Sequence, residues 1–244
     1  MRRVIDGWYS PSLGSYMDIV TYGHWGFPLL LFPTAAADFL EYERFLLIDA
    51  LEHQINSGKV KVFSINSINK EAWLNRHQHP YWMGVRQAQY NSYLENEVIP
   101  YIWHSCGGRV GVITSGASLG AFHAMNQVLR RPDLFAGTIA MSGCYDIREY
   151  FHGEGYGDEN IFFNNIVEYL PGLNGGYLHM LRHKEHIHIV TGQGDYENPN
   201  ASRHLSWLLH TKGIPHELDI WGYDMPHDWP TWRSMLPYYV ESRF

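Results

Sequence analysis

The residues whose types and spacing most clearly point to chemistry are Gly116-Ala117-Ser118-Leu119-Gly120. They follow the β-branched run Arg109-Val110-Gly111-Val112-Ile113-Thr114 and open a stretch in which Ala121, Ala124, Met125, Val128 and Leu129 recur at helical spacing. Strand, sharp turn and helix in that order read as a nucleophile elbow, with small residues two before and two after the serine so that the backbone folds tightly. A serine hydroxyl is a weak nucleophile until an imidazole takes its proton, and a carboxylate must orient that imidazole. The chain offers both partners in the order serine, acid, histidine. Asp195 stands in Gly192-Gln193-Gly194-Asp195-Tyr196-Glu197, after a β-branched run, and is the expected acid, with Glu197 and Asp224 as alternatives. His227 stands in the short loop Asp224-Met225-Pro226-His227-Asp228 and is the expected base, with Asp228 as a cap for the helix after it. Acyl chemistry at such a serine also needs two backbone N–H donors for the oxyanion. Leu119 supplies one from the start of the helix. The other is expected from Pro33-Thr34-Ala35-Ala36-Ala37-Asp38, with Ala35 as the nominee and Asp38 as an ordinary cap of that loop.

These residues need a scaffold that brings distant loops to one edge. The chain begins with two strands, 3–9 and 16–22, joined by a Pro/Gly turn, so an antiparallel start is expected. Short apolar runs at 28–32, 60–65, 110–114, 137–141, 187–191 and 217–221 then alternate with helical patterns at 39–54, 86–104, 119–130, 199–212 and 230–240. That alternation predicts an α/β fold with a mostly parallel sheet covered on both faces, and its site at the carboxyl ends of the strands. No linker divides the chain, which reads as one domain. The connection between the strand near 141 and the next near 187 is longer than a crossover requires. Its segment 145–185 is rich in aromatic residues and glycines and is expected to form a cap over the serine. Phe162 and Phe163 from this segment, with Trp229 after the histidine, are the expected walls of the substrate pocket.

Composition narrows the function classes. Hydrophobic residues make up 45% and charged residues 18%, enough for a substantial core and too apolar for disorder. A net charge of −7 without a basic block argues against nucleic acid as a partner. No apolar stretch is long enough to span a membrane, and Cys106 and Cys144 read as reduced thiols, so a cytoplasmic chain is expected. His183, His186 and His188, and likewise His77 and His79, lack an accompanying carboxylate or thiolate set, so no metal site is expected.

Taken together, Phe32-Pro33-Thr34, the segment from Gly116 to Ala124, Met141-Ser142-Gly143 and His227-Asp228-Trp229-Pro230 resemble the Putative esterase, or esterase D-like, branch of the α/β-hydrolase superfamily. The branch includes S-formylglutathione hydrolases, feruloyl esterases and mycolyltransferases, and the resemblance runs from about residue 27 to 236. It implies ester hydrolysis or acyl transfer without a cofactor, on a small-molecule ester, with Ser118 as nucleophile, Asp195 as acid and His227 as base. Where many of these hydrolases carry a His-Gly or glycine-rich oxyanion loop, this chain has Thr34-Ala35-Ala36-Ala37. A hydrolase-fold binding protein without activity is the reading from a different class, and the intact order of the three residues argues against it.

Overall fold

The computed structural model describes residues 1–150 and 158–244. Eight strands form one sheet in the order β1-β2-β4-β3-β5-β6-β7-β8: Arg3–Ser10, Ser15–Tyr22, Phe27–Phe32, Val60–Ile65, Val112–Ala117, Phe135–Met141, His186–Thr191 and Glu217–Ile220 for β1 to β8. β1 pairs antiparallel with β2 and β2 with β4, and every later pairing is parallel. All eight expected strands are present; the central ones, β3 to β7, are buried nearly throughout, while β1 and β8 at the sheet edges are more exposed.

Alternation along the strands builds two cores. In β3, Leu30 and Phe32 join the apolar layer on one face, while Leu29 and Leu31 join the layer on the other. The first layer is covered by α4 (Pro80–Tyr93), α5 (Ile99–Ser105), α6 (Leu119–Arg130) and α10 (Pro199–Thr211). The second is covered by α1 (Glu41–Arg44), α2 (Leu47–Ala50), α3 (Glu52–Asn56) and α11 (Trp229–Arg243). The single helix expected over 39–54 is three short ones, because Leu46 takes a left-handed conformation (φ 61°) that ends one helical run before the next begins. The helix expected over 86–104 begins earlier, at Pro80, and passes through a π-helical turn, Leu94–Val98, before α5.

The long connection after β6 carries α7 (Glu159–Phe162), α8 (Ile166–Gly172) and α9 (Gly175–Leu181). Residues 151–157 of the expected cap, including Phe151 and Tyr156, lie outside the described residues. A buried amide network fastens the described part to the helical layer. Asn164 Oδ1 accepts from Asn91 Nδ2 of α4 at 2.8 Å and from Asn126 Nδ2 of α6 at 3.2 Å. Asn91 Oδ1 accepts from Gln127 at 2.8 Å, and the Tyr169 hydroxyl donates to Asn126 Oδ1 at 3.0 Å. Buried amides paired in this way favour one docking geometry, since a slip would leave several more of them without partners.

Candidate active site

Ser118 stands between β5 and α6 with φ 57° and ψ −123°, a backbone conformation that side chains rarely adopt. The flanking glycines are required by contact. A Cβ on Gly120 would lie 2.3 Å from the Phe32 carbonyl oxygen and 2.7 Å from that of Pro33, and one on Gly116 would meet the Gly120 backbone at 2.4 Å. The turn therefore presses α6 directly against the loop after β3, which carries Ala35.

A chain of hydrogen bonds leads from this turn to His227. The Ser118 N–H donates to the Met141 carbonyl at 3.0 Å, at the end of β6. The next residue, Ser142, is also left-handed (φ 51°), and its hydroxyl donates to Glu197 Oε1 at 2.5 Å. Glu197 Oε2 faces His227 Nδ1 at 3.4 Å. Two more donors, Thr191 Oγ1 at 3.1 Å and the Gly192 N–H at 3.3 Å, complete the carboxylate, whose side chain is 1% exposed. Burial alone would raise its pKa; hydrogen bonds from His227 and Ser142 outweigh that and hold the carboxyl below the usual range. With Nδ1–H directed at Glu197, the imidazole keeps Nε2 as its acceptor. The Trp232 ring lies edge-on to His227, centroids 5.1 Å apart, and its indole N–H donates to the Ser142 hydroxyl at 3.0 Å.

The carboxylate that meets His227 is thus Glu197, and the expectation of Asp195 is corrected. Asp195 is exposed and touches the histidine only through its backbone, its carbonyl accepting the His227 N–H at 2.9 Å. Tyr196, left-handed at φ 64°, reverses the chain between the two acids and turns Glu197 inward. Asp224 is exposed as well. The loops are drawn together closely enough that a Cβ on Gly192 would lie 2.0 Å from the Met225 carbonyl oxygen.

The loop after β3 is braced from two sides. Glu41 accepts the Thr34 N–H at 2.7 Å and the Thr34 hydroxyl at 2.6 Å, so the Thr34 amide is engaged. Asn69 donates to the carbonyls of Thr34 at 3.1 Å and Ala35 at 2.7 Å. Its own carbonyl oxygen meets His123 Nε2 at 2.7 Å, one turn into α6. Because the Asn69 amide group is spent on the two carbonyls, its oxygen must accept, and His123 must carry its proton on Nε2. Burial pushes the His123 pKa down to about 3, so this bridge between α6 and the loop is neutral. The N–H groups of Leu119, at the first position of α6, and of Ala35 have no acceptor among the described residues. None of Glu41, Asn69 and His123 stands in a recognisable motif, although His123 lies only five residues past the serine.

The expected pocket walls lie elsewhere. The Phe163 carbonyl accepts from Arg130, at the end of α6 away from Ser118, about 18 Å along a helix of this length. The amide network holds Phe162 and Phe163 there, exposed and edge-to-face at 5.0 Å. Trp229 is core: it stacks on Phe45 at 4.5 Å and meets Tyr42 and Trp232 edge-on, which steadies the histidine loop from behind. Asp228 caps α11 as expected. The grouped histidines serve local structure, His79 capping α4 and His188 meeting Glu217 at 2.9 Å.

Residues 50–241 match the family described as Putative esterase. No curated protein matches the chain. Among solved structures, the chain is similar to a ferulic acid esterase at 18% identity and a TM-score of 0.73, covering 98% of this chain and 97% of that one. It is also similar to an S-formylglutathione hydrolase from Staphylococcus aureus (16%, TM-score 0.67, covering 98% and 97%) and to one from Agrobacterium tumefaciens (13%, TM-score 0.69, covering 98% and 93%). With its family match spanning most of the chain and its sheet of this kind, the protein belongs to the Putative esterase family and has the α/β-hydrolase fold.

Proposed function

We propose that Ser118, His227 and Glu197 form the catalytic triad of this esterase, with Leu119 and Ala35 as its oxyanion donors. The observation that carries the reading is the contact of His227 Nδ1 with a buried, four-donor carboxylate, on the sheet edge where Ser118 stands in a strained turn. In the reaction, Ser118 Oγ attacks the ester carbonyl while His227 Nε2 takes its proton. Glu197 holds the imidazole in the tautomer that can accept and stabilises the imidazolium once it forms. The oxyanion is received by the Leu119 and Ala35 N–H groups, preorganised because Asn69 and Glu41 hold the loop in place before substrate arrives. His227 returns the proton to the leaving alcohol, the ester C–O bond breaks, and water activated by the same imidazole releases the acid. No step calls on a cofactor. Among the described residues no helix is long and apolar enough to cross a membrane. Cys106 and Cys144 are both free, which supports a reducing compartment, the cytoplasm.

A fluorophosphonate probe should label Ser118, and Ser118→Ala should remain folded while losing the label and nearly all turnover of p-nitrophenyl esters. Labelling at Ser115 or Ser142, or turnover surviving in Ser118→Ala, would refute the assignment.

A further inference from the structure

Opposite the triad, at the amino edge of the sheet, lies a hollow of about 640 Å³ between the loop before β3 and the segment joining α5 to β5. Its apolar walls are Trp25, Phe27, Pro28 and Val110, and Trp25 leaves most of its indole exposed. Lys61 and Cys106 also line it. A strand of six residues spans about 20 Å, so this hollow and Ser118 are separate sites.

Lys61 is the unusual residue. It sits near the start of β4, between β2 and β3, and is only 8% exposed. Its ammonium donates to the Ser105 carbonyl at 2.5 Å and lies 5.6 Å from the Phe63 ring centroid. No carboxylate among the described residues forms an ion pair with it, although its neighbour Lys59 pairs with Glu241 at 3.3 Å. Ser105, whose carbonyl anchors the ammonium, lines the hollow, and the nearby Cys106 thiol is pushed up by burial with Lys61 opposing the shift. The only other titratable group lining the hollow is His24. A smaller adjoining hollow, which Lys61 also borders, adds Arg2, His104 and Asp6. In a protein of net charge −7, this edge sets Lys61 and Arg2 beside one carboxylate, Asp6. A lysine ammonium has three donors, and a buried cation without a counter-charge is costly unless an anion completes it. The volume is that of a small-molecule site, with apolar walls and one placed polar group.

We infer that this hollow binds an amphiphilic monocarboxylate, its apolar chain against Trp25, Phe27, Pro28 and Val110 and its carboxylate on the Lys61 ammonium. A single buried cation in the hollow, with Arg2 only in the adjoining one, matches a singly charged head rather than a phosphate.

The test is calorimetric titration of octanoate, and of 1-octanol as its neutral counterpart, into the full chain carrying Ser118→Ala. Octanoate should bind with one-to-one stoichiometry. Lys61→Met, which keeps the stem and removes the charge, should weaken octanoate at least tenfold while changing 1-octanol less than threefold. In the chain with Ser118 intact, Lys61→Met should leave turnover of p-nitrophenyl acetate unchanged. Absence of octanoate binding, many weak sites, or an affinity indifferent to Lys61→Met would overturn the inference. If Lys61→Met does not fold, Val110→Trp, which fills the hollow from its rim, must abolish octanoate binding, and binding that survives it overturns the inference equally.

Discussion

At Glu197 four donors from three loops converge on two carboxylate oxygens. A carboxylate so engaged is fixed before it acts, and its effect on His227 is one of orientation and charge together. Glu197→Gln should lower kcat on p-nitrophenyl acetate by about a thousandfold to ten-thousandfold with KM little changed. Asp195→Asn, by contrast, should stay within about threefold, because that side chain points to solvent. The same residue predicts a pH dependence of stability. Its folded pKa lies below the unfolded value of about 4.3, so its stabilising contribution is complete above that value and is lost as pH falls through the folded pKa. Chemical denaturation from pH 7 to pH 3 should show a steeper acid loss for the native chain than for Glu197→Gln. Sequence placed its first choice of acid two residues from the carboxylate that meets His227. What it could not display is the left-handed Tyr196, which decides which of two nearby carboxylates turns inward.

At the scale of elements, the loop after β3 and the start of α6 act as one unit because Asn69 joins them through His123. Asn69→Leu should lower kcat on p-nitrophenyl acetate by about tenfold to a hundredfold with little change in KM, since a slack oxyanion donor is felt mainly in the transition state. The insertion behaves differently. Phe162→Ala and Phe163→Ala should leave the ranking of ester chain lengths unchanged, as rings near the far end of α6 do not meet the acyl chain. Asn164→Ala should destabilise the chain by about 1 to 3 kcal/mol, read from denaturant midpoints, because it strands Asn91 and Asn126 donors in the interior. The central strands and the serine turn were legible because burial on both faces and tight turns each leave a mark in residue type. The insertion's docking was not, because Asn91, Asn126 and Asn164 are ordinary polar residues until they are brought together.

On the scale of the whole molecule, composition sets the colloidal behaviour. The net charge of −7 counts 15 histidines as neutral, so modest acidification brings the chain to its pI of about 6.1. A solubility minimum near that pH is expected in low salt, and light scattering across pH 5 to 8 would show it. His123 takes no part in that titration, since burial pushes its pKa down to about 3.

Trp232 joins two roles in one ring: its N–H is tied to the hydroxyl that steadies Glu197, and its edge faces His227. The indole is therefore an optical gauge of the catalytic charge state. Placing a proton on His227, or an acyl group on Ser118, alters the field across an emitting ring about 5 Å away. Subtracting the spectrum of a Trp232→Phe chain would isolate that signal from the other eight tryptophans, allowing each turnover to be followed in the protein's own light with no dye attached.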